Sequence, residues 1–311
     1  MSSWLDQTRR APRFFTVGVP ALSVAYLIVL KLLGGPNPEH YVLVGIGLVL
    51  ALGSDWTRKL ARVGLIYLLY ALVYDSMRYY EDLIRSPVIH VREPYDFDLR
   101  WFGIHGQTPN EFLQRHTSAV LDFFCGLSYT PFFFIGESIL LSIWLVLTGE
   151  GRRAERFVWV FFVANVIGFS LYYIYPAAPP WYVTDHGFTV DMSVRASPAG
   201  ALRFDQLIGI PVMQSFYGKS ADVFGAIPSL HVVYPFLAMV YGWRLSRFRV
   251  FAVGYFLLVC FSAVYLNHHY LLDVGLGLGI ASVVVLAWRA AFGPLEQPRA
   301  ELPGGLAQEP T

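Results

Sequence analysis

Eight apolar segments constrain the fold of this 311-residue chain more than any other feature of its sequence. Each approaches the length of about 20 residues that a helix needs to cross the hydrocarbon of a bilayer. Charged residues make up 14% of the chain, against about 25% in a soluble domain. The sequence therefore predicts an all-α, polytopic membrane protein with about eight transmembrane helices. The segments are Phe14–Leu33, Pro38–Gly53, Leu60–Met77, Phe123–Leu147, Phe157–Tyr175, Pro228–Trp243, Val250–Leu266 and Leu271–Phe292.

Clusters of arginine and lysine occupy alternating connections between these segments. Short cytoplasmic loops are enriched in these residues, so we expect every cluster and both chain termini in the cytoplasm. Two longer loops, Tyr80–His116 and Pro176–Gly225, then lie on the opposite face. Residues 293–311, rich in Pro, Gly and Glu, are expected to form a disordered cytoplasmic tail. The clusters are Arg9/Arg10/Arg13, Arg58/Lys59/Arg62, Arg152/Arg153/Arg156 and Arg244/Arg247/Arg249.

Two histidine elements lie where apolar segments meet the loops of that opposite face. The first, Gly225–His231, reads GAIPSLH, and the second, His268–Asp273, reads HHYLLD. Ionisable groups at membrane depth are costly and usually functional. The topology follows from Arg and Lys alone, and it places His231, His269 and Asp273 on one side of the membrane.

These side chains are suited to phosphoryl transfer. His269 and Asp273 are four residues apart, so they share one face if that stretch is helical. A carboxylate on one imidazole nitrogen fixes the tautomer and leaves the other free as a nucleophile or ligand. An attack of His269 on phosphorus would form a phosphohistidine. His231 would then protonate the leaving oxygen and later accept a proton from the acceptor.

A helix start at Pro228-Ser229 favours a phosphate site beside these residues. The first backbone N–H groups of a helix have no partner within it, and they bind phosphate oxygens without side-chain charge. Ser229 is therefore a predicted phosphate-binding residue. We expect Arg203, Lys219 or Arg195 to neutralise the charge that develops during transfer.

Several other interpretations compete with this one. Two histidines and a carboxylate also bind iron or zinc, although no further Cys, His or Glu motif supports a metal. A transporter or channel would use the same residues without covalent chemistry, but no internal repeat favours it. His268 points about 100° away from His269 on a helix and is expected to pack. The remaining histidines have no partner spacing and are expected in loops: His40, His90, His105, His116 and His186.

The pattern as a whole resembles the type 2 phosphatidic acid phosphatase superfamily, whose elements are PSxH followed by SRxxxxxHxxxD. Pro228-Ser229-Leu230-His231 matches the first element. Ser262, His269 and Asp273 match the second, but Ala263 occupies its arginine position. The sequence is similar to the inositol phosphorylceramide synthase branch in Ser197–Gly200, Arg203 and Asp205, Phe224–His231, His268-His269-Tyr270 and Ala177–Tyr182.

The resemblance implies a six-helix catalytic core and extracytoplasmic chemistry without a metal or cofactor. It implies His269 as nucleophile, Asp273 as its partner and His231 as acid and base. One integral membrane domain would span residues 1–292, with accessory spans over 14–77 and the catalytic core region over 97–292. The implied activity moves a phosphorylated head group, phosphoinositol above all, from a glycerophospholipid to a lipid hydroxyl such as that of ceramide. The alternative is a lipid phosphate phosphatase, which hydrolyses phosphatidate or an isoprenoid phosphate.

The expected partners are membrane lipids. A net charge of +1 gives no reason to expect nucleic acid. The two cysteines, Cys125 and Cys260, lie in apolar segments and do not indicate a disulfide framework. The sequence does not reveal the oligomeric state.

Overall fold

The computed structural model describes residues 13–218, 222–245 and 248–293. The predicted tail therefore lies outside the described residues, apart from Gly293. The helices are α1 (Phe14–Leu32), α2 (Pro38–Leu52), α3 (Asp55–Ile84), α4 (Arg92–Phe102), α5 (Pro109–Gln114), α6 (Ala119–Ser128), α7 (Pro131–Leu147, interrupted at Ile135), α8 (Gly151–Ile174), α9 (Pro180–His186), α10 (Leu202–Ile208), α11 (Val212–Tyr217), α12 (Leu230–Gly242), α13 (Arg249–Tyr265) and α14 (Leu271–Phe292).

Every predicted apolar segment corresponds to an apolar helix or, for the fourth, to a bent pair of helices. Within the described residues, α1, α3, α8 and α14 are long and apolar enough to cross a membrane. The pair α6 and α7 makes a fifth candidate if it is one span bent by 47°. Helices α2, α12 and α13 are shorter apolar helices of 10–17 residues. The all-helical membrane fold is confirmed, while the count of eight crossings stays a prediction.

Local sequence signals explain where several helices begin. A capping box begins α5, because the Thr108 hydroxyl accepts the Glu111 N–H at 3.2 Å and the Glu111 carboxylate accepts the Thr108 N–H at 2.8 Å. The bend between α6 and α7 falls at Pro131. A proline disfavours helical geometry in the residue before it, and Thr130 is accordingly extended, with ψ of 144°.

The core joins the helices that carry the two histidine elements. Its largest cluster packs α3, α7, α8, α12 and α14 together, and Phe157, Phe161 and Leu237 are fully buried within it. A second cluster joins α6, α10 and α11 to the end of α13 and the starts of α12 and α14. The starts of α12 and α14 and the end of α13 therefore meet at one end of the helix bundle.

Close packing between α12 and α14 depends on a single glycine. A Cβ at Gly277 would lie 2.3 Å from the carbonyl oxygen of Ser229, at the start of α12. Gly275 and Gly279 have no atom within 4 Å of such a Cβ. Of these three glycines, then, only Gly277 is required for close approach.

The expectation of a loop position is wrong for His40. It lies in the first turn of α2, is fully buried and contacts Asp75 of α3. This contact satisfies a polar ring that packs between apolar helices. Asp122 also has partners on neighbouring helices, namely Arg203 and Tyr265.

Candidate active site

A tight loop between α13 and α14 carries the second histidine element. The carbonyl oxygen of Ala263 accepts the N–H groups of both His268 and His269, at 3.1 and 3.0 Å. Asn267 has a φ of 63°, in the left-handed region that Asn tolerates better than most residues. The chain therefore reverses direction within a few residues, and this places His269 next to the start of α12.

His269 is held through its Nδ1 atom. Nδ1 lies 3.0 Å from the carbonyl oxygen of Ala226 and 3.3 Å from Oδ2 of Asp273. Because both of these oxygens are acceptors, Nδ1 carries the hydrogen and Nε2 carries the lone pair. Burial lowers the pKa of His269 to about 4, although the bond to Ala226 raises it. At neutral pH the imidazole is therefore uncharged, with its lone pair on Nε2.

A set of short backbone contacts places the Ala226 carbonyl. Ala177 donates its N–H to Phe224 at 2.6 Å, and Ala226 donates to the Ala177 carbonyl at 3.3 Å. Ala178 in turn donates to His90 at 2.9 Å. Segments from both long loops therefore fix the acceptor that orients His269.

Asp273 reaches His269 from within α14, but His269 itself precedes that helix. The helical stretch that a shared face would require is therefore absent at His269. The contact forms because helical side chains tilt toward the N-terminus, and Asp273 is the third residue of α14. Its Oδ2 also accepts the N–H of Tyr270 at 2.9 Å. Its Oδ1 has no hydrogen-bond partner among the described residues.

His231 completes the cluster from the first turn of α12. Its Nδ1 lies 3.2 Å from Nε2 of His269. Its Nε2 lies 3.1 Å from the hydroxyl of Tyr217. The ring stacks on Tyr129, with centroids 4.4 Å apart. The structure thus brings His231, His269 and Asp273 together in a continuous line of contacts.

Ser229 adjoins this cluster at the start of α12. Its hydroxyl is buried and has no partner in the described part of the chain. The sequence predicted a free backbone N–H at Ser229. Instead, this N–H donates to the carbonyl oxygen of Asp273 at 3.0 Å. The amide groups of Leu230 and His231 do have no acceptor among the described residues. The start of α12 therefore contributes one hydroxyl and two N–H groups that have no partner among the described residues.

Of the predicted cations, Arg203 and Arg195 are described, and neither is free beside the histidines. Arg203 donates from Nε to Asp122 at 2.6 Å and from Nη1 to Gln114 at 2.9 Å. Arg195 is exposed and has no ion pair in the described ranges. Lys219 lies outside the described residues. Among the predicted phosphate-binding residues that the structure describes, Ser229 alone is next to the histidines.

Two tyrosines that contact His231 were not identified from the sequence. Tyr217 contacts His231 through its hydroxyl, and Tyr129 stacks on the ring of the same histidine. Tyr217 also donates to the backbone carbonyl of Tyr129 at 3.0 Å. Tyrosines in an apolar sequence read as packing or interface residues. No spacing in the sequence distinguishes these two from the other 17 tyrosines.

Asp98 is a second residue that the sequence did not single out. It lies on α4, is fully buried, and accepts the N–H groups of Leu271 at 2.7 Å and Leu272 at 3.0 Å. These donors are the first two residues of α14. A carboxylate from another helix thereby caps the helix that carries Asp273.

Comparisons with known proteins agree on one family. The chain is 34% identical to the phosphoinositol dihydroceramide synthase of Bacteroides thetaiotaomicron over 281 residues, which is 88% of this chain and 90% of that protein. It is 27% identical over 241 residues to the catalytic subunit of inositol phosphorylceramide synthase from Schizosaccharomyces pombe. It is 31% identical over 173 residues to the inositol phosphorylceramide synthase of Candida albicans.

The fungal relatives are longer proteins. The match to the Schizosaccharomyces pombe protein covers 76% of this chain and 55% of the relative, and the match to the Candida albicans protein covers 55% and 36%. No solved structure matches the chain. The family model described as the PAP2 superfamily matches residues 95–289, which include both histidine elements and Asp98. The chain therefore belongs to the PAP2 superfamily, as an enzyme of its inositol phosphorylceramide synthase branch.

Proposed function

We propose that this protein transfers phosphoinositol from phosphatidylinositol to the hydroxyl group of a ceramide or dihydroceramide within the membrane. The relatives carry the corresponding names over most of this chain's length. The observation that carries the chemical proposal is the line of contacts from Asp273 through His269 to His231. That line supplies an oriented nucleophile and an adjacent proton carrier.

In the first step, Nε2 of His269 attacks the phosphorus of the donor. The bond between phosphorus and the diacylglycerol oxygen breaks as the P–N bond forms. Protonated His231 gives its proton to the leaving oxygen, so that neutral diacylglycerol departs. Asp273 stabilises the positive charge that the His269 ring acquires when it becomes a phosphohistidine.

In the second step, the acceptor lipid replaces diacylglycerol. Neutral His231 removes the proton of the acceptor hydroxyl, whose oxygen attacks phosphorus. The P–N bond breaks and returns the electron pair to His269. His231 ends the cycle protonated, as it began. Enclosure of the phosphohistidine away from water favours transfer over hydrolysis.

The donor must separate the two imidazoles. An in-line displacement puts the attacking nitrogen and the leaving oxygen on opposite sides of phosphorus. With reacting atoms about 3 Å apart and a hydrogen bond to the leaving oxygen, the two nitrogens are then about 7 Å apart. They are 3.2 Å apart in the structure, so His231 has to move away when the phosphate enters.

We propose that Ser229 and the amide groups of Leu230 and His231 bind the phosphate oxygens. The support is geometric, because these donors have no partner within residues 13–218, 222–245 and 248–293 and belong to the same helix start as His231. Arg195 and Lys219 are proposed to supply positive charge from the long loop. Arg203 binds the phosphate only if its guanidinium contacts the phosphate and Asp122 at the same time.

We further propose that the histidines face the extracytoplasmic side and that both termini are cytoplasmic. Helix α12 begins beside His231 and ends just before Arg244, whereas α13 begins at Arg249 and ends just before His268 and His269. The basic ends of these helices are therefore opposite to the histidine ends. Helices within residues 14–77 are proposed as accessory, and residues 97–292 as the catalytic core region.

Purified protein with head-group-labelled phosphatidylinositol and ceramide tests the activity directly. The expected product is labelled inositol phosphorylceramide together with diacylglycerol. Release of the label only as water-soluble phosphate or inositol phosphate would instead assign the phosphatase or hydrolase alternative. Accessibility of a cysteine at Ser193, in a variant lacking Cys125 and Cys260, to an impermeant maleimide tests the topology.

A further inference from the structure

Helix α4 presents a cluster of three exposed aromatic rings. Phe97, Trp101 and Phe102 are 38%, 63% and 43% exposed. The ring of Phe97 lies 6.3 Å from each of the other two, measured between centroids. No step of the proposed reaction involves these residues. Single exposed apolar residues are ordinary at a protein surface, but large rings gathered together mark a contact with a partner or a membrane.

The other sides of α4 are covered or polar. Asp98 faces the protein and is fully buried. The ring of Tyr95 packs edge to face against that of Phe188, with centroids 5.1 Å apart. Phe97 and Trp101 are four residues apart, so they lie one above the other on a further side of the helix. This side of α4 is therefore both apolar and exposed.

A pair of hydrogen bonds sets the depth of α4 relative to the membrane. Asp98 accepts the N–H groups of Leu271 and Leu272, the first two residues of α14, at 2.7 and 3.0 Å. Helix α14 is long and apolar enough to cross a membrane, and such a helix begins where the hydrocarbon ends. Because hydrogen bonds join the two helices directly, α4 lies at that boundary, on the side of the histidines.

Helix α4 itself is too short and too charged to enter the hydrocarbon. It has 11 residues, which make a helix about 16 Å long, against a hydrocarbon thickness of about 30 Å. A short helix with charges and aromatic rings on different sides is typical of one that lies in the plane of the interface, with its rings among the acyl chains. The charged residues are Arg92, Glu93, Asp96, Asp98 and Arg100.

A basic residue accompanies the rings. The guanidinium of Arg100 lies 5.5 Å from the centroid of the Trp101 ring. Arg100 is exposed and has no ion pair in the described ranges. Its charged end can contact lipid phosphates while its aliphatic stem follows the apolar side of the helix. We propose that Phe97, Trp101 and Phe102 insert into the lipid leaflet on the histidine side of the membrane.

Insertion of these rings connects the leaflet to the candidate active site. Asp98 lies on the same helix as the rings, and its two hydrogen bonds fix the start of α14. Asp273 is in the first turn of α14 and contacts His269 from there. The lipid surface therefore supports the helix that orients the proposed nucleophile.

Site-directed spin labelling of the full-length protein in phosphatidylcholine vesicles tests this insertion. In a variant lacking Cys125 and Cys260, Trp101→Cys carries a nitroxide label at the ring cluster. The matched control is Asp96→Cys, because Asp96 is exposed on the charged side of the same helix. Power saturation compares how often each label collides with oxygen, which concentrates in hydrocarbon, and with a nickel chelate, which stays in water.

We expect the label at position 101 to collide more often with oxygen than with the nickel chelate, and the label at position 96 to show the reverse order. Nickel collisions as frequent at position 101 as at position 96 would overturn the insertion, because the rings would then face water. Few collisions with either reagent at position 101 would also overturn it, because another protein surface would then cover the rings. If Trp101→Cys does not fold, Phe97→Cys decides the question in the same way.

Discussion

Nε2 of His269 lies 3.2 Å from Nδ1 of His231, so the two imidazoles contact each other directly, while Asp273 contacts the far side of His269. The two nitrogens of His269 therefore have different surroundings. Nδ1 faces two oxygen acceptors that fix its hydrogen, and Nε2 faces the proposed proton carrier. This asymmetry supports a nucleophile at Nε2 and separates the role of His269 from that of His231.

We expect His269→Ala, His231→Ala and Asp273→Ala each to lower turnover by at least about 10²- to 10⁴-fold, the contribution typical of a positioned acid, base or nucleophile. Wild-type protein given labelled donor without ceramide should retain label on the protein, and His269→Ala should not. Near wild-type turnover in any one variant would remove that residue from the mechanism. Detergent-solubilised yield and melting temperature serve as folding controls.

His268→Ala should be tolerated better than His269→Ala, although the two residues are adjacent. His268 donates from Nε2 to the carbonyl oxygen of Pro198 at 3.0 Å and packs against the rings of Tyr129 and Tyr217. Burial lowers its pKa to about 3, and repulsion from His269 when that ring is protonated lowers it further, so His268 acts as a neutral packing group. Transfer rates of the two variants, each divided by the amount of folded protein, check this. Equal losses would mean that the nucleophile is misassigned.

Gly277→Ala should impair both stability and transfer, whereas Gly279→Ala should not. The added methyl group would press on the Ser229 carbonyl at the start of α12, at a cost of about 1–3 kcal/mol for an overpacked contact. The shift would also displace His231 from His269. Melting temperature and kcat of the two variants provide the comparison, and an equally damaging Gly279→Ala would contradict it.

Asp98→Asn should change the pH dependence of stability. Burial raises the pKa of Asp98 to about 6, although the bonds from Leu271 and Leu272 lower it. The folded protein therefore binds a proton between about pH 4 and pH 6 that the unfolded chain releases. The stabilisation linked to that proton is present below about pH 4 and is lost as pH rises through 6.

The melting temperature of Asp98→Asn minus that of wild type should consequently increase between pH 4 and pH 6. At pH 7 the variant should transfer more slowly, because an amide cannot accept both N–H groups at the start of α14. Thermal unfolding of both proteins across this range is the measurement. A difference independent of pH would show that Asp98 does not titrate there.

Arg203→Gln should cost about 1–3 kcal/mol of stability, because it leaves the carboxylate of Asp122 partly buried without its cation. The double variant Arg203→Gln/Asp122→Asn separates two roles. If Arg203 only joins α10 to α6, the double variant recovers both stability and transfer. If Arg203 also binds phosphate, stability recovers and transfer stays low.

The membrane helices were predictable because their signal is local. Each depends on a run of apolar residues, and the starts at Pro38 and Leu271 follow from residues beside them. The break at Pro131, by contrast, divides a segment that was predicted as continuous over Phe123–Leu147. The shared location of the two histidine elements was also predictable, since alternating basic connections fix which helix ends lie together. The start of α5 followed from its capping box in the same way.

The contacts around the histidines were not predictable in this way. Asp98 and Leu271 are 173 residues apart. The chain has many other polar groups with which Asp98 could have paired. Tyr217 reaches His231 from a short helix within a long loop whose path depends on the completed fold. Arg203 looked available for phosphate because its acceptor, Asp122, lies on another helix. Such pairs form only through tertiary packing, which cannot be predicted from the local pattern of a single sequence.

The backbone bond from the N–H of Ser229 to the carbonyl of Asp273 ties the two histidine elements together without using a side chain. Nearly any amino acid can make this bond, so it does not limit which residues vary around it. The two long loops can therefore diverge to accept different lipids while the spacing between His269 and His231 is preserved. Enzymes with new head-group preferences could arise on this scaffold without rebuilding its chemistry.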